Sequence, residues 1–362
     1  MLNFLSSNVI LGKARTMYGR RLTGSDYEEL LKCRNINEVA GYLKNHTVYK
    51  KVFSDVPESG ARRGELEVRL KQKVMDEYAS LCKYEIEVDH SFSRILIEWE
   101  EIQYLLRAVL SLNSGIHKNS AFHFPAFLCH NSCLNLQALA RARTADGLKQ
   151  AVSRTPYEKL LEPFLAEEGR IDYTALESVL FGHLFSKLLK TVKNHFSGGT
   201  QKELRTIIES YLDLSNYVRI VRMKVMYGAN AEAIRKVLLP SGNVGKTSLE
   251  RMLHASTEEE ISSIMGKTSI GQIALKEPVS YLDQIPRRID YKICRHEMDF
   301  SLYPVVVLVS YLILSIVEID NIITIIEGKR YQLAPEEIRK LLIGLPASGM
   351  ASGFDAEKVR KE

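Results

Sequence analysis

Apolar residues along this chain recur every third or fourth position and seldom every second. Between Glu65 and Leu81, one stripe carries Leu66, Leu70, Val74 and Tyr78. Between Tyr173 and Val192, another carries Leu176, Val179, Leu180, Leu184, Leu188 and Val192. Such spacing predicts long amphipathic helices joined by short polar connections, hence an all-α fold. The one long apolar run, Val305 to Val317, is closed by Glu318 and Asp320. It falls short of the roughly 20 residues needed to cross a bilayer, and it predicts a buried core helix. Breaks are predicted at 56–64, 117–125, 196–200 and 277–288, the last with Pro278 and Pro286. Residues 346–362 are small, polar and charged, and predict a flexible tail.

Two sequence elements occur three times, in the same order. The first is a helical stretch closing on Thr-x-Tyr: Ala40, Leu43, Thr47, Tyr49; then Leu148, Ala151, Thr155, Tyr157; then Ile261, Ile264, Thr268, with Ile270 in place of the aromatic. Asn35 with Glu38, and Thr257 with Glu260, predict capping boxes at two of these helix starts. The second element sets an acid ahead of a helical apolar stripe. It reads Glu98, Glu101, Ile102, Leu105, Leu106, Arg107; then Asp213, Asn216, Tyr217, Ile220, Val221, Arg222; then Glu318, Asn321, Ile322, Ile325, Ile326, Glu327. Arg107 lies 60 residues after Thr47, Arg222 67 after Thr155, and Glu327 59 after Thr268. The nearly constant interval predicts three helical units, 1–127, 128–237 and 238–345, that bury faces against one another to build one surface. No unit reads as an enzyme domain.

Composition narrows the classes without choosing among them. A hydrophobic share of 45% and a charged share of 26% are ordinary for a globular chain, and a net charge of +5 is too small to imply nucleic acid. Basic pairs such as Arg20–Arg21 and Arg62–Arg63 are scattered, and read as solvated faces. An RNA-binding scaffold would gather its bases on one face with aromatics between them, whereas here acids and bases alternate in every unit. An odd number of cysteines, five, spread along the chain, makes no disulfide framework and fits a reducing compartment. Met1 to Leu11 lacks the basic start of a secretory signal.

Two stretches invite chemistry that their contexts oppose. Pro240 to Ser248, PSGNVGKTS, imitates a phosphate-binding loop. It has Pro240 where the leading glycine belongs, and a helical pattern rather than a strand before it. His123, Cys129, His130 and Cys133 are possible zinc ligands, but the chain offers no second cysteine pair to complete a structural site. No Ser-His-Asp or Cys-His arrangement stands out, so no catalytic residue, metal or cofactor is expected. Trp99 reads as a packing residue. Arg107, Arg219, Arg222 and Lys224 read equally as contacts to a partner's acidic surface and as partners of acids within the units.

With these motifs in place, the chain resembles the C subunit of A-type and V-type rotary ATPases, the d subunit in eukaryotes, from about Asn8 to about Leu345. The resemblance rests on Arg15, Gly19, Arg20 and Leu22 near the start, and on Asp213, Asn216, Arg222 and Lys224 in LDLSNYVRIVRMK. It rests also on Leu239, Pro240 and Gly242 in the connection that follows, with Ser241 replacing a glycine, and on Glu318, Asn321, Gly328 and Lys329 in the closing helix. The first unit departs most, with Glu101 where asparagine is expected. The resemblance implies a funnel of three pseudo-symmetric helical units on the cytoplasmic face of the membrane. Its expected partners are the central stalk subunits and the membrane rotor ring, which it would couple without catalysis so that ATP hydrolysis or synthesis is linked to proton or sodium transport. No nucleic acid or small-molecule substrate is expected. Arg107, Asn216, Arg219, Arg222, Lys224, Asn321 and Lys329 are the residues expected to contact partners or to hold the repeats together. The alternative is a free helical-repeat scaffold that binds protein or RNA.

Overall fold

A computed structural model describes residues 2–57, 60–84, 91–115, 124–166, 169–276 and 280–345, with side chains from residue 8 onward and, after the second gap, from residue 94. Among these residues there are eighteen α-helices and no strand. The chain opens with α1 (Leu2–Tyr18), α2 (Gly24–Lys32), α3 (Ile36–His46), α4 (Arg63–Cys82) and α5 (Ser91–Ser114). It continues through α6 (Ala126–Asn131), α7 (Leu136–Arg141), α8 (Ala145–Val152), α9 (Glu158–Leu165), α10 (Tyr173–His195) and α11 (Gly198–Val225). Then come α12 (Ala231–Lys236), α13 (Lys246–His254), α14 (Glu258–Met265), α15 (Ser269–Ala274), α16 (Gln284–Phe300), α17 (Pro304–Arg330) and α18 (Pro335–Leu341). The break at 117–125 and the tail at 346–362 lie wholly or mostly outside the described residues.

Three pairs of long consecutive helices dominate: α4–α5, α10–α11 and α16–α17. They pack in a closed cycle, since α5 lies on α10, α11 on α16, and α17 back on α4. Leu66, Leu70, Val74 and Tyr78 are buried along α4, and Leu176, Leu180, Leu184 and Val192 along α10, as their spacing predicts. The expected break at 277–288 ends early. Pro286 sits in the first turn of α16, where its missing N–H has no intrahelical acceptor in any case.

The apolar run belongs to α17, which starts on Pro304 and continues through Glu318 and Asp320 to Arg330. By length and composition this helix could cross a membrane, yet 67% of its most apolar stretch is buried inside the protein. It packs on α16, α4 and α1 and touches α3, α11 and α18. Arg15 ties α1 to the α16–α17 corner by donating to the carbonyls of Met298 (2.8 Å) and Ser301 (2.7 Å). At the other end Gly328 lets α18 approach, because a Cβ there would lie 2.5 Å from Ile338.

Burial is not divided evenly. One core runs from α1 through the first half of α11 and includes α17. A second, separate core joins the second half of α11 to α12–α15 and the start of α16.

Candidate functional site

The tripled motifs meet one another. Thr47, Thr155 and Thr268 each donate to a carbonyl in the preceding turn, of Leu43, Val152 and Met265. Each also accepts from a backbone N–H two or three residues on, so one side chain ends a helix and starts the next turn. The tyrosine two residues later delivers its hydroxyl to a distant acid. Tyr157 donates to Glu101 at 2.7 Å, and Tyr49 donates to Glu318 at 2.6 Å. Each acid also accepts a backbone N–H from the loop ahead of a short helix: Cys133 for Glu101, and Leu22 for Glu318. The third copy has Ile270 and therefore no hydroxyl. There the acid is the shorter Asp213, which takes three backbone donors instead, from Gly242, Asn243 and Val244 at 2.7–2.9 Å. Burial pushes the Glu318 and Asp213 carboxyls up, and these hydrogen bonds partly offset it.

The first helix enters this pattern one turn late. Glu101, not Glu98, makes the contacts that Asp213 and Glu318 make, while Glu98 pairs with Lys187 (2.5 Å) and Arg94 (3.7 Å). Residues three apart share a helix face, so an apolar stripe alone does not distinguish the two registers. With Glu101 as the reference, Arg107 corresponds to Arg219. Each reaches back to a glutamate on the preceding long helix, Arg107 to Glu67 on α4 and Arg219 to Glu177 on α10, both at 3.1 Å.

The other motif residues hold chain segments. Asn216 donates to the carbonyl of Leu239 (3.0 Å) and accepts its N–H (2.8 Å). Asn321 does the same with Ile343, at 2.9 Å both ways. Lys224 donates to Ala255 O and Lys329 to Leu31 O, each at 2.6 Å. Burial holds the Lys329 ammonium below its usual range. Asn216, Asn321 and Lys329 are buried and turned to the protein's own backbone. Arg219 is half-buried on Ser178, Val237 O and Glu177, and Arg222 pairs with Asp283.

Arg107, Arg219 and Arg222 instead line the space inside the helix cycle. A cavity of about 1060 Å³ is walled by α5, α10, α11, α12 and the start of α16, and a smaller one of about 210 Å³ by α4, α5, α16 and α17. They share Trp99, Gln103 and Arg287. Most bases on these walls are matched by acids of the same chain: Arg287 with Asp320 (2.5 Å), Lys71 with Glu100 (3.0 Å), and Arg63 and Arg107 with Glu67 (3.1 Å each). Glu67 is buried, which alone would raise its pKa. Lys71, Arg107 and Arg63 around it outweigh this and hold it below the usual carboxylate range. Sequence reading missed Glu67, Glu177, Asp283 and Arg287, which carry no repeat signal of their own.

The phosphate-loop lookalike has its amides occupied. Gly242, Asn243 and Val244 turn their N–H groups onto Asp213, a carboxylate standing where a phosphate would. Gly242 is required by that approach, since a Cβ would lie 2.5 Å from Glu209 O and 2.8 Å from Asp213 Oδ2. Of the suggested zinc ligands, Cys133 turns its thiol to Glu101 (3.7 Å), and His123 lies outside the described residues. Cys33, Cys129, Cys133 and Cys294 are free thiols, and no group of three potential ligands occurs among the described residues.

Residues 10–341 match the family described as ATP synthase (C/AC39) subunit. The C subunit of the A-type ATP synthase of Desulfurococcus sp. (strain SY) is 24% identical, over 72% of this chain and 68% of that protein. The protein of the same name from Pyrococcus furiosus is 21% identical, over 91% of this chain and 88% of its own. That of Methanocaldococcus jannaschii is 20% identical, over 92% and 85%.

Proposed function

The chain belongs to the ATP synthase (C/AC39) subunit family, and on that premise we propose that it is a non-catalytic coupling subunit of an ion-translocating rotary ATP synthase. It acts as a socket that receives the central stalk and rests on the membrane rotor ring, at the cytoplasmic face and through protein contacts alone. Its three units, 1–127, 128–237 and 238–345, form a pseudo-symmetric funnel. Support for the funnel comes from the three recurring Thr turns and from the acids Glu101, Asp213 and Glu318, each bonded to the loop that opens the next unit.

The observation that carries the socket reading is the closed cycle of six long helices around a cavity most of whose bases are paired with the chain's own acids. A closed cycle resists shear between its members, which a torque-bearing link requires. Matched charges leave little unpaired positive field for RNA, so the free scaffold has no observation in its favour. Asp213 fills the loop that would have to hold a nucleotide.

The test compares vesicles reconstituted with the complete complex and with the complex lacking this chain. Without it, the soluble head should continue to hydrolyse ATP while ion transport stops. Ion transport that survives complete removal of the chain would sink the coupling role.

A further inference from the structure

The corner where α16 gives way to α17 is fastened to the start of α11 through polar side chains. Ser301 is buried there, donates its backbone N–H to Glu297 O at 2.9 Å, and takes the N–H of Tyr303 on its hydroxyl at 3.2 Å. That hydroxyl donates across to Oε2 of Glu203 on α11, at 2.6 Å. Tyr303 packs on Gly199 in the first turn of α11, where a Cβ would lie 2.0 Å from the phenol oxygen. Glu297, half-buried in the last turn of α16, brings its carboxyl within hydrogen-bond reach of the Glu203 carboxyl. Ionised carboxylates only accept, so such a bond needs one proton between them. Burial, then the charge and hydrogen bond of Glu203, raise the Glu297 carboxyl to about 7.

The charged groups around this pair are engaged elsewhere or face water. Arg15 of α1 is held by the carbonyls of Met298 and Ser301, and Arg205 of α11 by Glu209. Arg295, His296 and Asp299 on α16 are exposed, as are Lys193 and His195 at the end of α10 and Lys202 on α11. From α17 comes the Tyr303 phenol, and α15, which also packs on α16, carries no charged residue.

We propose that Glu203 and Glu297 form a proton-operated latch between the start of α11 and the α16–α17 corner, shut while they share a proton and sprung once both are ionised. Two full charges at hydrogen-bond distance repel strongly in a half-buried site, where water screens them poorly. The corner relieves this by parting, which swings Glu297 into water and exposes the amides of Ser301 and Tyr303. A carboxyl with a higher pKa in the shut state binds its proton preferentially there. The shut state therefore gains fully below about 4.3, the ordinary glutamate value, and loses that gain as pH climbs to about 7. The latch is a property of the chain itself and does not depend on the socket reading. It makes the grip of α11 on α16, one joint of the helix cycle, weaker in alkaline surroundings.

Hydrogen exchange of the full chain at pH 6 and pH 8, corrected for the intrinsic effect of pH on exchange, tests this. With the parted pair titrating near about 4.3, protection of residues 199–205 and 297–303 should fall about tenfold between the two conditions. Residues 246–265, in the second core, should keep theirs. Glu297→Gln offers Glu203 an amide hydrogen at every pH, and should keep the corner protected at pH 8. Glu203→Gln does the same from the other side while still accepting from Ser301, and covers the case in which the first variant folds poorly. Equal protection of the wild-type corner at both pH values would overturn the latch, and so would a tenfold fall that persists in the folded amide variants. A fall of the same size in residues 246–265 would overturn it as well, because the whole chain would then be opening.

Discussion

Asn216 is the kind of residue whose worth lies in what it leaves behind when removed. Its amide satisfies both backbone groups of Leu239 at a buried site, so Asn216→Ala orphans a donor and an acceptor together. At about 1–3 kcal/mol for each buried unpaired group, we expect a loss of several kcal/mol in urea unfolding. A surface role alone would leave the midpoint unmoved. Asp290 is the opposite case. Burial raises its carboxyl to about 7, Arg287 offsets this only in part, and Oδ1 has no hydrogen-bond partner. An acid whose pKa is higher folded than unfolded, here against about 3.9, binds its proton preferentially in the folded state. Its contribution is therefore lost as pH rises from about 4 to about 7. Asp290→Asn should raise the melting temperature at pH 8 and flatten its slope across that window. An unchanged pH profile would refute the assignment. Glu67 acts with the opposite sign: its stabilisation is present above the normal glutamate range and is lost as acid protonates it.

Among the elements, those with a long uninterrupted period were legible, because five or six helical turns repeat one constraint. The α4 and α10 stripes are of this kind. The register of α5 was not, since Glu98 and Glu101 share a face and only the Tyr157 hydroxyl and the loop at Cys133 select between them. Nor were the partners of Arg107, Arg219 and Arg222, which are set by packing between separate helices rather than by any spacing within one. The capping boxes were half legible. Asn35 and Thr257 cap as expected, but Glu38 and Glu260 reach one residue further back, to the N–H groups of Arg34 and Ser256. The loop from Pro240 to Ser248 allows a test at this scale. Gly242→Ala drives a methyl into Glu209 O and Asp213, and should destabilise by about 1–3 kcal/mol. Lys246→Ala, at an exposed position, should change stability by less than about 0.5 kcal/mol. It should also leave ATP turnover of the whole complex intact. A nucleotide loop would show the reverse, a large functional loss at Lys246.

At the scale of the molecule, the cycle closes where α17 returns to α1, α3 and α4. Around that seam Glu318 accepts from Leu22 and Tyr49, Arg339 pairs with Glu28, and Lys329 holds Leu31 O. The seam joins the two ends of the chain, so it has no covalent connection across it, whereas the other junctions are also linked by the backbone. On the proposed coupling role, it is the place where the cycle would open under torque. A hydrogen bond to a charged group contributes about 1.5–3 kcal/mol, and Tyr49→Phe removes one here without changing shape. The subunit should still fold and assemble, because Leu22 and the apolar packing of α17 remain. Head hydrolysis needs no stiff link and should continue near the wild-type rate. Transport needs the link to hold against the gradient, so ions moved per ATP should match the wild type at first and fall as the gradient builds. Tyr157→Phe removes the same bond at a junction the backbone also spans, and should lower this ratio less. Equal ratios for both variants and the wild type under a full gradient, in chains equally destabilised when isolated, would mean that the seam carries no load.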